Sequence, residues 1–181
     1  MFNADRPLSA NRWPVVRLGA GSTTEVILLS KRFFALTTHW VSYTIPCPGE
    51  DCALCEQVPA RGLFYAAVMC NSRVSILELG AQSASLFEQH AKLLHGGLNV
   101  GLVFALTRRS AKSPVRSEVI REQDKCTPVD QLELAAHVLA LFKFPCPNPG
   151  EDLLSYEKRS RGLAKIRSDR AATMLSNASK R

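Results

Sequence analysis

Four metal-ligating side chains fall within the seventeen residues from His39 to Cys55. His39, Cys47, Cys52 and Cys55 are spaced H-x7-C-x4-C-x2-C. Three thiolates and one imidazole fill the tetrahedral shell of zinc and leave no position for a substrate. The pattern therefore points to one structural ion rather than a catalytic one. Pro46, Pro48 and Gly49 punctuate the segment, as a tight metal-holding loop requires. Cys52-Ala53-Leu54-Cys55 has the knuckle spacing that turns two sulfurs towards a common point. A lone C-x2-C would also suit a redox pair or ordinary thiols. A third cysteine and an upstream histidine favour zinc. His39 is the ligand the pattern fixes least, since Asp51 or another histidine would complete an equivalent set. Cys146 is a further candidate, because Phe144-Pro145-Cys146-Pro147 echoes Ile45-Pro46-Cys47-Pro48. The second copy has no later cysteine, so it reads as shared turn chemistry and not as a second zinc site.

Six cysteines in a chain with no secretory signature imply metal ligation and free thiols rather than disulfides. Cys70, Cys126 and Cys146 are then reduced structural residues. No apolar run approaches the roughly 20 residues of a membrane span, and the expected location is the cytoplasm of a bacterial or phage-infected cell. The 181 residues can bury one good core, and a 46% hydrophobic content describes a globular chain. The net charge of +7 is concentrated. From Glu157 onward Lys158, Arg159, Arg161, Lys165, Arg167, Arg170, Lys180 and Arg181 face only Glu157 and Asp169. A second cluster comprises Arg108, Arg109, Lys112 and Arg116. Such patches suit a polyanion partner.

Hydrophobic patterning divides the chain into an N-terminal arm (1–23), a β-rich unit (24–125) with the zinc loop at 39–55, and C-terminal helices (126–181). A long first strand runs from Thr24 to Trp40 or Tyr43, rich in aromatic and β-branched residues. Residues 61–70 and 73–79 form two more strands. Ser85 and Glu88 suggest a capping box for a helix that ends at Gly96-Gly97. Strands follow at 98–107 and 114–122. The order β-β-β-α-β-β, with a long first strand, matches a five-stranded Greek-key barrel of the OB type carrying an inserted zinc loop. Thr127-Pro128 then reads as a helix start, and a final basic helix opens near Glu151. That last helix has few apolar residues (Leu163, Ile166, Met174, Leu175) and is interrupted by Gly162. It is expected to be an accessory to the barrel, which should fold without residues 157–181.

The segment Lys31 to Cys55 runs from a basic strand to His39-Trp40, then Pro46-Cys47-Pro48-Gly49 and Cys52-x2-Cys55. It resembles zinc-containing OB-fold single-stranded DNA-binding proteins of phages and mobile elements, of the T-even helix-destabilising type. Members carry a histidine followed by three cysteines, the last two as C-x2-C; the gaps here are shorter. The resemblance covers residues 24–122 in strand order and 31–55 in motif. It implies a zinc-braced barrel that holds single strands in a basic, aromatic-lined cleft. The family type ends in an acidic tail that recruits replication partners. This chain ends in a basic helix, which puts that role aside and suggests a nucleic-acid track or a protein partner instead.

The residues support the same use independently. Single-strand binders combine a basic track with exposed aromatic faces. Lys31, Arg32, Trp40 and Tyr43 lie on or near the first strand. Trp40 and Tyr43 are the favoured stacking residues because each has a polar edge that tolerates water. Arg108, Arg109, Lys112 and Arg116 fall on the fourth-to-fifth strand loop, a ligand edge of OB folds. The competing reading is a non-enzymatic interaction subunit of a protein or ribonucleoprotein complex. Enzymatic motifs are lacking: there is no Walker loop, no HExxH and no nucleophile elbow, and His39 has no glutamate two residues on as zinc deaminases require. The expected partner is single-stranded DNA or RNA, the expected cofactor one zinc ion.

Overall fold

The computed structural model describes residues 12–49, 52–145, 148 and 150–178. Its elements are β1 (Val15–Val16), β2 (Ser22–Leu28), β3 (Phe34–Trp40), β4 (Thr44–Pro46), β5 (Arg61–Cys70), β6 (Arg73–Gly80), α1 (Ala81–His95), β7 (Leu102–Arg108), β8 (Arg116–Glu122), α2 (Gln131–Leu141) and α3 (Leu153–Ala178). The fold is mixed α/β, built on an open eight-stranded sheet of order β1-β6-β5-β2-β7-β8. β3 pairs with β5, and β4 hangs on β3. All ladders are antiparallel except β1 with β6.

The strand count differs from the expected five, and the reason is local. The single long first strand is two strands separated by a bend. β2 lies along β7 from Ser22 opposite Arg108 to Ile27 opposite Val103. It reaches β5 at Leu28 opposite Val68, and the chain resumes as β3 at Phe34 opposite Tyr65. At the bend the Leu29 N–H donates to the Ala67 carbonyl at 2.8 Å. The buried Ser30 hydroxyl accepts the Ala67 N–H at 3.2 Å. A side-chain oxygen thus takes the place of the backbone acceptor that a continuous strand would supply. Nor is the sheet closed: among the described residues no ladder joins β8 to β6. The free side of β6 takes Val15 and Val16 instead. The later half of the expected arm therefore supplies a strand, while its residues 1–11 lie outside the described residues. Trp13 stacks on His137 of α2, ring centroids 3.9 Å apart, and ties that segment down further.

Helices cover both faces of β5. Ala66 and Val68 belong to a core with Leu28, Leu77, Phe104 and, from α1, Phe87 and Ala91. Tyr65 and Ala67 point the other way, into a core with Ile76, Leu134, Val138 and Leu139 of α2 and Tyr156 and Ala164 of α3. A strand buried on both faces reads as a continuous apolar run, as Tyr65-Ala66-Ala67-Val68 does.

The helix termini differ from expectation. α1 begins at Ala81 with Gly80 as its N-cap and no side-chain cap, so Ser85 and Glu88 lie inside it. Its end is as expected, with Gly96 in the left-handed conformation at φ 73°. α2 is capped by Asp130, whose carboxylate accepts from the Leu132 and Glu133 N–H groups, and not by Thr127.

The largest departure is α3, which is not an accessory. It buries Tyr156, Ser160, Ala164, Ser168, Ala171 and Ala172. The i, i+3 and i+4 spacing puts these residues on one stripe, and beyond Tyr156 their small side chains let the helix approach its neighbours closely. A count of large apolar residues misses such a face. Gly162 does not break the helix. Open space surrounds the point where a Cβ would sit, so Gly162→Ala is expected to stabilise the protein by about 0.5–1 kcal/mol through the unfolded chain. Urea unfolding with an unchanged m-value is the check. A destabilised variant would mean that the position is not regular helix.

Candidate metal centre and basic surfaces

The chain folds back on itself to assemble the cluster. β3 and β4 form a hairpin with Thr38 opposite Pro46 and His39 opposite Ile45. Ser42, at φ 74°, makes the tight turn at its tip. Past Pro46, the Cys47 N–H donates to the Thr37 carbonyl at 2.7 Å, which holds Cys47 beside the base of β3. The knuckle then closes with the Cys55 N–H on the Cys52 carbonyl at 3.0 Å, and Leu54 inside it is fully buried.

The four donor atoms of His39, Cys47, Cys52 and Cys55 all lie within 4.8 Å of one another. A zinc tetrahedron with Zn–S of about 2.3 Å and Zn–N of about 2.0–2.1 Å has S···S edges of about 3.8 Å and S···N edges of about 3.6 Å. Cys47 Sγ and Cys55 Sγ are 3.8 Å apart. His39 Nε2 lies 3.4 Å from Cys52 Sγ and 3.6 Å from Cys55 Sγ. The donor set fits one zinc ion.

His39 is buried, and its tautomer follows from its partner. Nδ1 is 3.1 Å from the Val58 carbonyl, which can only accept, so the proton sits on Nδ1. Nε2 is then a bare lone pair facing the sulfurs, the state a zinc-bound histidine needs. Asp51 and Cys146, which the spacing also admits as fourth ligand, lie outside the described residues.

The surroundings favour thiolates unequally. Burial pushes the Cys52 thiol up. The Ser168 hydroxyl at 3.3 Å, the Leu54 N–H and the neighbouring thiols outweigh it and bring Cys52 down to about 7. Burial raises Cys47, with the Gly49 N–H opposing at 3.4 Å. Burial also raises Cys55. Zinc must therefore displace protons from Cys47 and Cys55 at neutral pH, and from Cys52 as well below about 7. The metal's contribution to stability is present at higher pH and lost as pH falls. Zinc affinity is expected to fall about a hundredfold or more per unit from about pH 7 to 6, because two or more protons compete. A chelator competition series across that range reads it, and a pH-independent affinity would exclude thiolate ligation.

No family model, curated protein or solved structure matches this chain. The cluster therefore stands on the chemistry of its donors alone.

The residues expected to bind nucleic acid divide into three places. Lys31 and Arg32 are exposed at the bend between β2 and β3. Trp40 and Tyr43 sit at the β3–β4 tip, 56% and 58% exposed. Arg109, Lys112 and Arg116 are exposed around the β7–β8 turn. Arg108 is committed to shaping that turn: it donates to the carbonyls of Leu18, Ala111 and Ser113. The registers of β2 with β7 and of β3 with β5 put the β7–β8 turn and the β3–β4 tip at opposite ends of the sheet. The fold does not gather these groups into one patch.

Two parts of the site have no place in the ligand pattern. One is the Val58 carbonyl, which no side-chain spacing can announce. The other is Ser168, which reaches Cys52 from α3; Ala171 and Ala172 of the same helix pack with Ile45 and Leu54. The spaced run Tyr156, Ser160, Ala164, Ser168, Ala172 was its available signal.

Proposed function

We propose that the protein is a non-enzymatic, zinc-braced binder of single-stranded nucleic acid that grips the strand at the β3–β4 tip and in the groove beside it. The observation that carries this reading is the exposure of Trp40 and Tyr43 at the tip of a hairpin whose base holds the cluster of His39, Cys47, Cys52 and Cys55. Rings held out to water on an anchored hairpin suit base stacking. A groove of about 720 Å³ separates the tip from α3, with Tyr43 on one side and Lys143, Arg167 and Arg170 on the other. Arg167 is occupied by the carbonyls of Phe142 and Lys143. Lys143 and Arg170 are exposed and suit phosphates.

The OB-type reading belongs to the same proposal. Taken as one bent strand, β2 and β3 pair with β5 and β7; β5 pairs with β6 and β7 with β8. α1 stands between the third and fourth strands of that series. OB folds bind ligands on the outer face of strands two and three and on the loops flanking it. On this assignment that face is Tyr65, Ala67 and Ile76, which α2 and α3 cover. The zinc-braced loop and the β7–β8 turn are then the available surfaces. That covering is also the observation favouring the second reading, an interaction subunit, since Leu154, Ile166 and Met174 remain exposed along α3.

Anisotropy titration of labelled single-stranded and duplex oligonucleotides separates the two. Single strands should bind more tightly, with affinity falling steeply as salt rises. Trp40→Ala should weaken single-strand binding about tenfold, from the roughly 1–3 kcal/mol of a base–aromatic stack, at an unchanged melting temperature. Equal affinity for duplex and single strand, or an unaffected Trp40→Ala variant, favours the interaction subunit.

A further inference from the structure

A second cavity, of about 380 Å³, lies between the bend of the sheet and the N-terminal half of α3. Its size falls in the range of small-molecule pockets. Phe34 and Phe144 give it an apolar wall, and Gln131, Glu157 and Ser160 supply polar groups. Ser160 is 5% exposed, and its buried hydroxyl has no hydrogen-bond partner. Buried polar atoms are rarely left in that state. Arg32 from the bend and Arg161 from α3 also line the cavity. Both are exposed, and neither has a hydrogen-bond or ion-pair partner among the described residues. Two unpaired guanidiniums are matched to a phosphate. An apolar wall with hydrogen-bonding groups is matched to a flat ring bearing donors and acceptors.

We infer that this cavity takes one unstacked nucleotide of a bound strand, its base against the Phe34–Phe144 wall and its phosphate between Arg32 and Arg161. The inference rests on the single-strand function proposed for the β3–β4 tip and extends it. The strand would leave the Trp40–Tyr43 tip and give up one base to a pocket beside Pro46 and the cluster residue Cys47, both of which line this cavity. Glu157, one turn before Arg161, offers an acceptor to an exocyclic amino group. Bases carrying one should be preferred over thymine.

The test compares full-length wild type with two variants against a twelve-residue oligodeoxycytidine and an abasic strand of equal length. Leu36 is half-buried, shares the α3-facing side of β3 with Phe34 and lines the cavity, so Leu36→Trp fills it from the sheet side. Leu36→Trp should weaken the cytidine strand at least fivefold and leave the abasic strand within twofold, with cooperative melting retained. Arg161→Glu should weaken both strands. Cytidine 5′-monophosphate should displace the strand only at millimolar concentration. Wild-type affinity in either variant overturns the inference, as does equal weakening of both strands by Leu36→Trp. Displacement by micromolar mononucleotide overturns the strand assignment in favour of a free nucleotide. Failure of wild type to bind any single strand removes the proposed function itself, and is a different result from strand binding that ignores Leu36→Trp.

Discussion

Cys52→Ser is expected to lower the melting temperature by about 10 °C or more and to abolish zinc retention through purification. A strong chelator acting on wild type should do the same. Structural zinc in small peptides contributes about 10–16 kcal/mol of folding free energy. Here the sheet has cores of its own, which reduces the dependence without removing it. The cluster joins β3, the residues after β4, the knuckle and, through Ser168, α3. Without the ion, only weak sulfur contacts and the bonds from Val58, Gly49 and Ser168 hold three thiols and an imidazole within 4.8 Å. A loss of about 4 kcal/mol corresponds to a drop of about 8–16 °C in a chain of this size. Cys70 is buried in the α1 core and lies outside the cluster, so Cys70→Ala should retain zinc while losing only packing. Elemental mass spectrometry and thermal melting read both variants. A metal-free wild type that melts as high as the loaded one would end the structural-zinc assignment.

Ending the chain after Glu157 should abolish cooperative folding. The deleted part supplies Ser160, Ala164, Ser168, Ala171 and Ala172, which close the α2–α3 core and the packing under the knuckle. It also supplies Arg167, whose guanidinium donates to the Phe142 and Lys143 carbonyls at the end of α2 and lies 4.5 Å from the Phe144 ring centroid. Truncation would expose Tyr156, Leu139 and Leu54 together. Circular dichroism during thermal melting, with a hydrophobic dye, is the readout. A truncated chain that melts sharply near the wild-type temperature would return α3 to the accessory role its composition suggests. A milder probe of the same surface is Ala172→Glu, which buries a charge against the knuckle.

The cluster of four donors was legible because metal ligation calls for donor types and short spacings that few other demands produce. Strand order and α1 were legible because β-branched runs and the Gly96-Gly97 stop are local signals. The bend at Ser30 was not, since it depends on the Ala67 N–H, which lies far away in sequence. Nor was the pairing of Val15 and Val16 with β6: a two-residue strand has no periodicity to detect. α3 was misjudged for a different reason. Beyond Tyr156 its contact face is alanine and serine, and close approach of the helix does there what bulky side chains do elsewhere. Most of the basic residues that make this helix conspicuous lie on its other sides, Arg159 and Arg167 excepted. Where Lys158 and Arg161 are exposed, the stripe through Ser160 and Ala164 is buried.

All four candidate ligands emerge from the ribosome within one short stretch, whereas Ser168 lies 116 positions after Cys52. Local loops close in well under a microsecond to microseconds, and docking of a late helix awaits the rest of the chain. Metal capture can thus precede α3, and the helix then settles over an already loaded knuckle. Once in place, α3 shields the Cys52 side of the cluster, while Cys55 stays exposed. A chelator should therefore reach a bound ion from the Cys55 side, and the rate of zinc loss should rise with chelator concentration rather than wait on the opening of α3.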